Sequence, residues 1–309
     1  MAMTDSAPLA AERKAAPQRV RGPRVWLDMD QRELDDAYDQ SKYAANRGQI
    51  QERRLLNSQL ARARLGEPLR LAYGASEIEQ LDVYRCKRST APVNVYVHGG
   101  AWRNGTAAEF AFLAEIFVNA GAHCVILDFI DIEAASGNLM MMARQVRSAV
   151  AWVYRNAARF GGDPKALYVS GHSSGGHLGG CAAVTDWRKD FGLPPDLIKG
   201  ALLCSGMYDL KPVRLSARSN YVKFTDETEQ ELSAIRHLGR LNCPLVLGYG
   251  TYETPEFQRQ SRDFAAAVQA IGKPVELLVG EGYNHFEMLE TLANPHGLLG
   301  HAVLELMGL

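Results

Sequence analysis

Hydrophobic positions in this chain change period repeatedly, and the changes define its elements. Short apolar runs rich in Val, Leu, Ile and Tyr occupy 69–74, 79–86, 92–97, 123–129, 167–171, 199–205, 244–250 and 274–280, each of strand length. Between them, apolar residues recur at three- and four-residue spacing. The clearest case runs from Leu139 to Arg159. Leu139, Met142, Val146, Val150, Val153 and Ala157 form one stripe, with Arg144, Arg147, Arg155 and Arg159 mostly opposite, which predicts a helix with one buried and one solvated face. Phe257, Phe264, Val268 and Ile271 predict a second helix of this kind. Strands alternating with helices predict an α/β protein whose mostly parallel sheet is covered by helices on both faces.

The first part of the chain reads differently. Residues 1–24 are rich in Ala, Pro and Arg, lack periodicity and carry five basic against two acidic residues, the pattern of a mobile tail. Residues 25–68 read as a helical segment packed on the core, in which Glu33 to Leu65 is charged and helical with Leu34, Tyr38, Leu55, Leu56, Leu60 and Leu65 as its apolar positions. These helices are expected to serve chiefly as scaffold over the sheet edge, with Tyr38 or Tyr43 as candidates to roof a pocket. Residues 69–309 read as the α/β domain itself. No internal repeat is visible.

The chemistry is concentrated at strand ends. The run Leu167-Tyr168-Val169-Ser170 leads into Gly171-His172-Ser173-Ser174-Gly175, followed by the small-residue stretch from Gly176 to Val184 that predicts a closely packed helix. A strand turning directly into a helix projects the central Ser173 at the tip of the sheet, requires flanking glycines, and leaves the Ser174 amide pointing where an oxyanion would form. A serine hydroxyl needs a base, and the base an orienting acid. His285, in Gly282-Tyr283-Asn284-His285-Phe286 just after a strand, is the candidate base. The other histidines fall in apolar or helical segments, in the elbow, or, for His98, in a loop that it is expected to shape by hydrogen bonding.

Three carboxylates compete for the orienting role. Glu253 follows the strand ending at Gly250 and stays in the loop. Glu256 falls in the first turn of a helix that Thr254 and Pro255 are expected to cap and open, where a negative charge serves the helix dipole. Asp209 follows another strand. Glu253 is the preferred candidate. His98-Gly99-Gly100-Ala101-Trp102 after the strand at 92–97 offers closely approaching amides, so Gly99, Gly100 and Ala101 join Ser174 as candidate oxyanion donors. Trp102 and Tyr208 are candidate substrate-binding aromatics, the alternative for Trp102 being a core position with a satisfied indole.

Together, His98-Gly99-Gly100-Ala101-Trp102, Phe160-Gly161-Gly162-Asp163-Pro164, Gly171-His172-Ser173-Ser174-Gly175-Gly176-His177-Leu178, Thr254-Pro255-Glu256-Phe257 and Asn284-His285-Phe286 resemble the α/β-hydrolases of the kynurenine formamidase (arylformamidase) type and their esterase and amidase relatives. The resemblance covers the chain from about Leu27 onward. It implies an α/β-hydrolase fold and a metal-independent serine hydrolase without cofactor, acting on small aryl formamides, aryl amides or short esters through an acyl-enzyme. Two positions depart from the family's usual pattern: Ala101 stands where tyrosine is frequent, and Glu253 where aspartate is frequent. The smaller Ala101 side chain suggests a roomier pocket. A catalytically silent scaffold that binds a small ligand or partner is the alternative, and a true formylkynurenine hydrolase or a general carboxylesterase are alternatives within the enzyme class.

Composition narrows the remaining options. The 309 residues carry 34 Lys and Arg against 35 Asp and Glu, a net charge of −1, which leaves no electrostatic footprint for nucleic acid or a membrane surface. Five cysteines, Cys86, Cys124, Cys181, Cys204 and Cys243, are an odd number, several of them inside apolar strands, and read as reduced core residues. The apolar runs are too short to span a bilayer, and the N-terminus lacks a charged-then-apolar leader. The expectation is a soluble cytoplasmic enzyme with no bound metal, with homo-oligomerisation left open.

Overall fold

The computed structural model describes residues 20–309. The predicted mobile tail therefore lies largely outside the described residues. At its end the Gly22 amide donates to Asp30 Oδ2 at 2.8 Å and Arg21 pairs with Glu33. A short strand pair absent from the apolar pattern, β1 (Arg24–Trp26) and β2 (Met29–Asp30), leads into α1 (Gln31–Ala37). Asp30 caps α1, and Glu33 reciprocates on the Asp30 amide, which satisfies two donors that a helix start otherwise leaves open. α2 (Arg47–Leu65) completes the N-terminal segment.

Every apolar run read as a strand is one: β3 (Leu69–Ala72), β4 (Gln80–Tyr84), β5 (Ala91–Val97), β6 (His123–Leu127), β7 (Gly162–His172), β8 (Ile198–Cys204), β9 (Leu245–Gly250) and β10 (Val275–Gly280). They form a single sheet in the order β10-β9-β8-β7-β5-β6-β4-β3, parallel except where β4 pairs antiparallel with β3 and β6. β7 begins earlier than its apolar run, because Gly162 pairs with Ala91 across an irregularity in register.

Side chains along the central strands alternate between two cores, as the strand period of two requires. Val93, Val95 and Val97 of β5 and Leu167 and Val169 of β7 join a core with α4 (Leu139–Asn156), α5 (Ser174–Ala183), α6 (Trp187–Phe191), α7 (Leu210–Leu215), α8 (Asp226–Leu232) and α9 (Pro255–Ala270). Tyr96, Leu202 and Cys204 face the other way, toward a 3-10 turn at 107–113, α3 (Ala114–Ala120), α10 (His285–Leu292) and α11 (Leu298–Met307). The stripe predicted for α4 is buried throughout, and the helix ends at Asn156, with Ala157 entering a 3-10 turn. In α9 Phe257, Phe264 and Val268 are buried, whereas Ile271 lies past the helix end and is exposed. The Thr254 side chain does not cap α9; its hydroxyl donates to the Ala37 carbonyl at 2.6 Å and ties the helix start to the N-terminal segment.

α2 corrects the reading of its apolar positions. Leu55, Leu56 and Leu60 are exposed, and the buried stripe is Ile50, Ser58 and Ala61. The small Ser58 and Ala61 let α2 approach the 107–113 turn closely enough for Ser58 Oγ to donate to the Glu109 carbonyl at 2.8 Å and accept from the Phe112 amide at 3.3 Å. Arg53 grips Glu290 of α10 with two bonds of 2.6 Å. This docking places α2 over the carboxyl ends of the strands.

Candidate active site

In a parallel sheet the loops that follow the strands gather at one edge. The loops after β5, β7, β9 and β10 carry the oxyanion-loop, nucleophile, acid and base candidates respectively, so the topology brings them together. At the elbow Ser173 adopts φ 59, ψ −126, a conformation sparsely populated by residues with a side chain. It is held there by the Ser173 amide donating to the Cys204 carbonyl at 2.9 Å. The flanking glycines are required by space. A Cβ on Gly171 would stand 2.4 Å from the Gly175 carbonyl oxygen, and one on Gly175 would stand 2.0 Å from that of Val97.

The three predicted polar side chains form one hydrogen-bonded chain. Ser173 Oγ donates to His285 Nε2 at 2.8 Å, and His285 Nδ1 donates to Glu253 Oε2 at 2.7 Å. A carboxylate can only accept, so the proton lies on Nδ1 and Nε2 is free to take one from the serine. Glu253 is completely enclosed, and four donors meet its two oxygens. Oε1 accepts from the Gly250 amide at 2.8 Å and from Ser205 Oγ at 2.5 Å, while Oε2 accepts from His285 and from Gln40 Nε2 at 3.2 Å. Such a set stabilises the anion that a developing imidazolium needs.

The competing carboxylates are committed elsewhere. Asp209 Oδ1 caps α7 through the Lys211 amide at 3.1 Å and faces Arg236 at 3.5 Å. Glu256 does sit in the first turn of α9, but it is buried and holds Arg259 at 2.7 and 2.8 Å and accepts from Tyr38 Oη at 2.9 Å. Burial beside the Glu256 charge raises the Tyr38 phenol well above its ordinary range, so it remains a donor.

The candidate oxyanion loop leans directly on the elbow: a Cβ on Gly99 would lie 3.1 Å from Ser173 Cβ. Gly100, Ala101 and Trp102 have φ of 125, 55 and 63, and this left-handed turn delivers the Gly100 carbonyl to the amides of Arg103 and Asn104. Among the described residues no group accepts from the Gly99, Gly100, Ala101 or Ser174 amides, the four donors the sequence proposes for an oxyanion. The Trp102 amide is not a fifth, since it donates to Ser174 Oγ at 3.2 Å. His98 stays in the structural role expected of it. Its Nδ1 donates to the Gly99 carbonyl at 2.9 Å while the ring stacks 4.3 Å from Phe129.

These side chains open into a cavity of about 420 Å³. Neither predicted aromatic is on its wall. Trp102 is buried with its indole N–H on His177 Nδ1 at 3.3 Å, and Tyr208 is buried against Phe264 with its hydroxyl on the Leu203 carbonyl at 3.2 Å. The aromatic wall is instead Tyr38, Phe110, Phe112, Tyr221 and Phe286, with Ile50, Arg54 and Gln40 contributed by the N-terminal segment. The segment read chiefly as scaffold therefore builds the pocket. Tyr43, the other roof candidate, is exposed and outside it.

Sequence reasoning missed Gln40, which lies 213 positions from the acid and carries no motif. Gln40 Nε2 braces Glu253 while its Oε1 accepts from the Thr254 amide at 3.2 Å. Gln40→Leu is expected to lower kcat about tenfold with a smaller change in KM, because a hydrogen bond to a buried charge is lost. Steady-state kinetics with retained thermal stability would check it; an unchanged kcat would remove Gln40 from the site.

Burial also keeps several histidines neutral. His172, whose Nε2 donates to the His285 carbonyl at 2.8 Å, is held well below its ordinary value by desolvation and then by the His285 ring beside it. Desolvation brings His177 down to about 4. A histidine depressed in the folded state binds its proton in the unfolded chain first, so this contribution to stability is intact above about pH 6.5 and is lost as pH falls toward the folded value. His177 alone is expected to cost about 3 kcal/mol by pH 4. Urea midpoints that stayed level between pH 7 and pH 4.5 would contradict this.

Among the described residues no group of three or more His, Cys, Asp or Glu side chains is arranged to hold a metal, and no helix is long and apolar enough to cross a membrane. Cys124, Cys181, Cys204 and Cys243 are buried and Cys86 is half-buried. The BD-FAE family matches residues 81–199. A kynurenine formamidase from Danio rerio is 30% identical over 296 residues, covering 92% of this chain and 98% of the relative. Esterase LipC of Mycobacterium tuberculosis is 28% identical over 261 residues, covering 76% of this chain and 63% of LipC. Among solved structures, the hyperthermophilic esterase of the archaeon Pyrobaculum calidifontis superposes with a TM-score of 0.68 at 18% identity, over 91% of this chain and 93% of that one.

Proposed function

Because this chain belongs to the kynurenine formamidase family of α/β-hydrolases, we propose that it cleaves aryl amides, aryl formamides or short-chain aryl esters through an acyl-enzyme on Ser173. It is a hydrolase, and its fold is the esterase fold. The observation that carries the assignment of roles is the unbroken chain from Ser173 Oγ through His285 to Glu253.

His285 Nε2 takes the hydroxyl proton as Ser173 Oγ attacks the carbonyl carbon, and Glu253 holds the imidazolium that results. The oxygen of the tetrahedral intermediate gathers negative charge beside the amides of Gly99, Gly100, Ala101 and Ser174, which no group among the described residues occupies. His285 then protonates the departing amine or alcohol, and water repeats the sequence on the acyl-serine. Glu253 stays in place throughout, which fits four donors fixing its two oxygens.

Ala101 lines the cavity beside this oxyanion position, and its methyl group leaves room for acyl groups larger than formyl. The wall nearest α10 is Phe286 rather than Trp102, so an aryl group has a flat partner there. Acetyl and butyryl aryl esters or anilides are expected to match or exceed formylkynurenine in kcat/KM, and Ala101→Tyr to shift preference toward formyl. A panel of these substrates tests both. Good turnover of formylkynurenine with none of the acetyl and butyryl substrates would overturn the pocket reading, whereas failure of a fluorophosphonate to label Ser173 stoichiometrically would favour a silent scaffold.

A further inference from the structure

One wall of the cavity holds a charge that forms no ion pair among the described residues. Arg218, in the 3-10 turn Ala217–Asn220, is more than nine-tenths buried and lines the same cavity as Ser173. Its Nη1 donates to Tyr221 Oη at 2.8 Å and its Nη2 to the Tyr38 carbonyl at 3.0 Å, both neutral acceptors. Its Nε has no partner among the described residues, and the guanidinium lies over the faces of Trp102 and Phe257 at 5.4 and 6.0 Å.

Arg259 and Arg70, which are also partly buried, have carboxylates: Arg259 holds Glu256 and Asp263, and Arg70 holds Asp82 and Asp128. Arg147 on α4 has no ion pair among the described residues, but it is only half-buried and lies outside this cavity. Within the cavity wall, Arg54 is paired with Glu109 and Arg103 with Glu133, while Arg47 at the rim forms no ion pair among the described residues. Asp35 and Asp39 also line the cavity without pairing with Arg218. Asp35 accepts from the Ala217 amide at 2.6 Å and from Gln31, and Asp39 accepts from the Ser41 amide and hydroxyl. A desolvated guanidinium facing only neutral acceptors and rings is unfavourable unless an anion joins it.

We propose that Arg218 is a substrate-binding residue that receives a carboxylate carried by the substrate away from the scissile bond, so that the preferred substrates are carboxylated aryl esters or amides. This rests on the hydrolase reading above. A planar guanidinium suits a carboxylate, whose two oxygens match its donor fork. The carboxylate can belong to the acyl portion or to the leaving group.

Two matched pairs distinguish these sources: monophenyl succinate against phenyl butyrate, and 3-carboxyphenyl acetate against phenyl acetate. The expected result is at least a tenfold preference in kcat/KM for the carboxylated member of one pair. Arg218→Gln should reduce that ratio at least tenfold, and Arg218→Lys should restore part of it. No preference in either pair, or a ratio that persists in Arg218→Gln, overturns the proposal. Should Arg218→Gln fail to fold, competitive inhibition of the wild-type protein tests the same point. 3-Phenylpropanoate should bind at least tenfold tighter than 3-phenylpropanamide and weaken with added salt, and equal inhibition constants overturn the proposal. Phenyl acetate turnover, abolished by Ser173→Ala, reads the hydrolase separately. If no substrate is turned over, the hydrolase reading fails on its own, and calorimetric titration of 3-phenylpropanoate and 3-phenylpropanamide still decides Arg218.

Discussion

Ser173→Ala is expected to lower kcat on any substrate by roughly five to six orders of magnitude, because it removes the atom that forms the acyl-enzyme and leaves only binding and oxyanion stabilisation. The fold should survive. The elbow is set by its flanking glycines and by the Ser173 amide bond to Cys204, and alanine can occupy the same φ of 59. Losing the hydroxyl removes one hydrogen bond to His285 and leaves the donors around Glu253 in place. Burst kinetics with a nitrophenyl ester, together with thermal unfolding of the variant, would check both halves. Residual turnover within tenfold of the wild type would rule out Ser173 as the nucleophile.

Glu253→Gln is expected to cost about three to four orders of magnitude in kcat. The number of donors around the side chain makes this substitution severe. Gly250 N–H and Ser205 O–H meet one oxygen, and His285 Nδ1–H and Gln40 N–H meet the other, so the new amide NH2 must face donors whichever way it turns. Turned toward His285, it forces the imidazole into the tautomer with its proton on Nε2, where it cannot accept from Ser173. Turned the other way, it sets two donors against each other in a site without water access.

Asp209→Asn, by contrast, keeps a cap on α7 and should change kcat only a few-fold. Glu256→Gln should appear in stability instead. It leaves Arg259 with only the exposed Asp263, a loss of roughly 3 kcal/mol that a denaturation curve would register. A larger fall in kcat for Asp209→Asn than for Glu253→Gln would reverse the assignment of the acid.

Some of this was legible in the order of residues alone. The strands were readable because a buried parallel strand must be a nearly continuous apolar run. The stripe of α4 was readable because one face of a helix repeats every three to four residues. Ser173 could be placed because the elbow is a local object: its glycines stand within two residues of the serine and answer to contacts of 2.0 and 2.4 Å. His285 and Glu253 followed once each was assigned to a loop beyond a parallel strand, since topology then sends both to the same edge.

What depended on long-range packing was not legible. Trp102 and Tyr208 stand beside site residues in sequence, yet their rings turn into the core, where His177 and the Leu203 carbonyl satisfy their polar atoms. Leu55, Leu56 and Leu60 look like a packing face, but α2 docks through Ile50, Ser58 and Ala61, the last two because a close approach to the 107–113 turn favours small residues. Gln40 and Tyr38 reach the cavity only because α1 and the following turn lie across the strand ends, and Arg218 only because the distant turn at 217–220 packs against Tyr38. Local sequence determined the reacting groups, since their geometry is set by the few residues around each; the tertiary fold decided what surrounds them, since that is set by residues some 200 positions away.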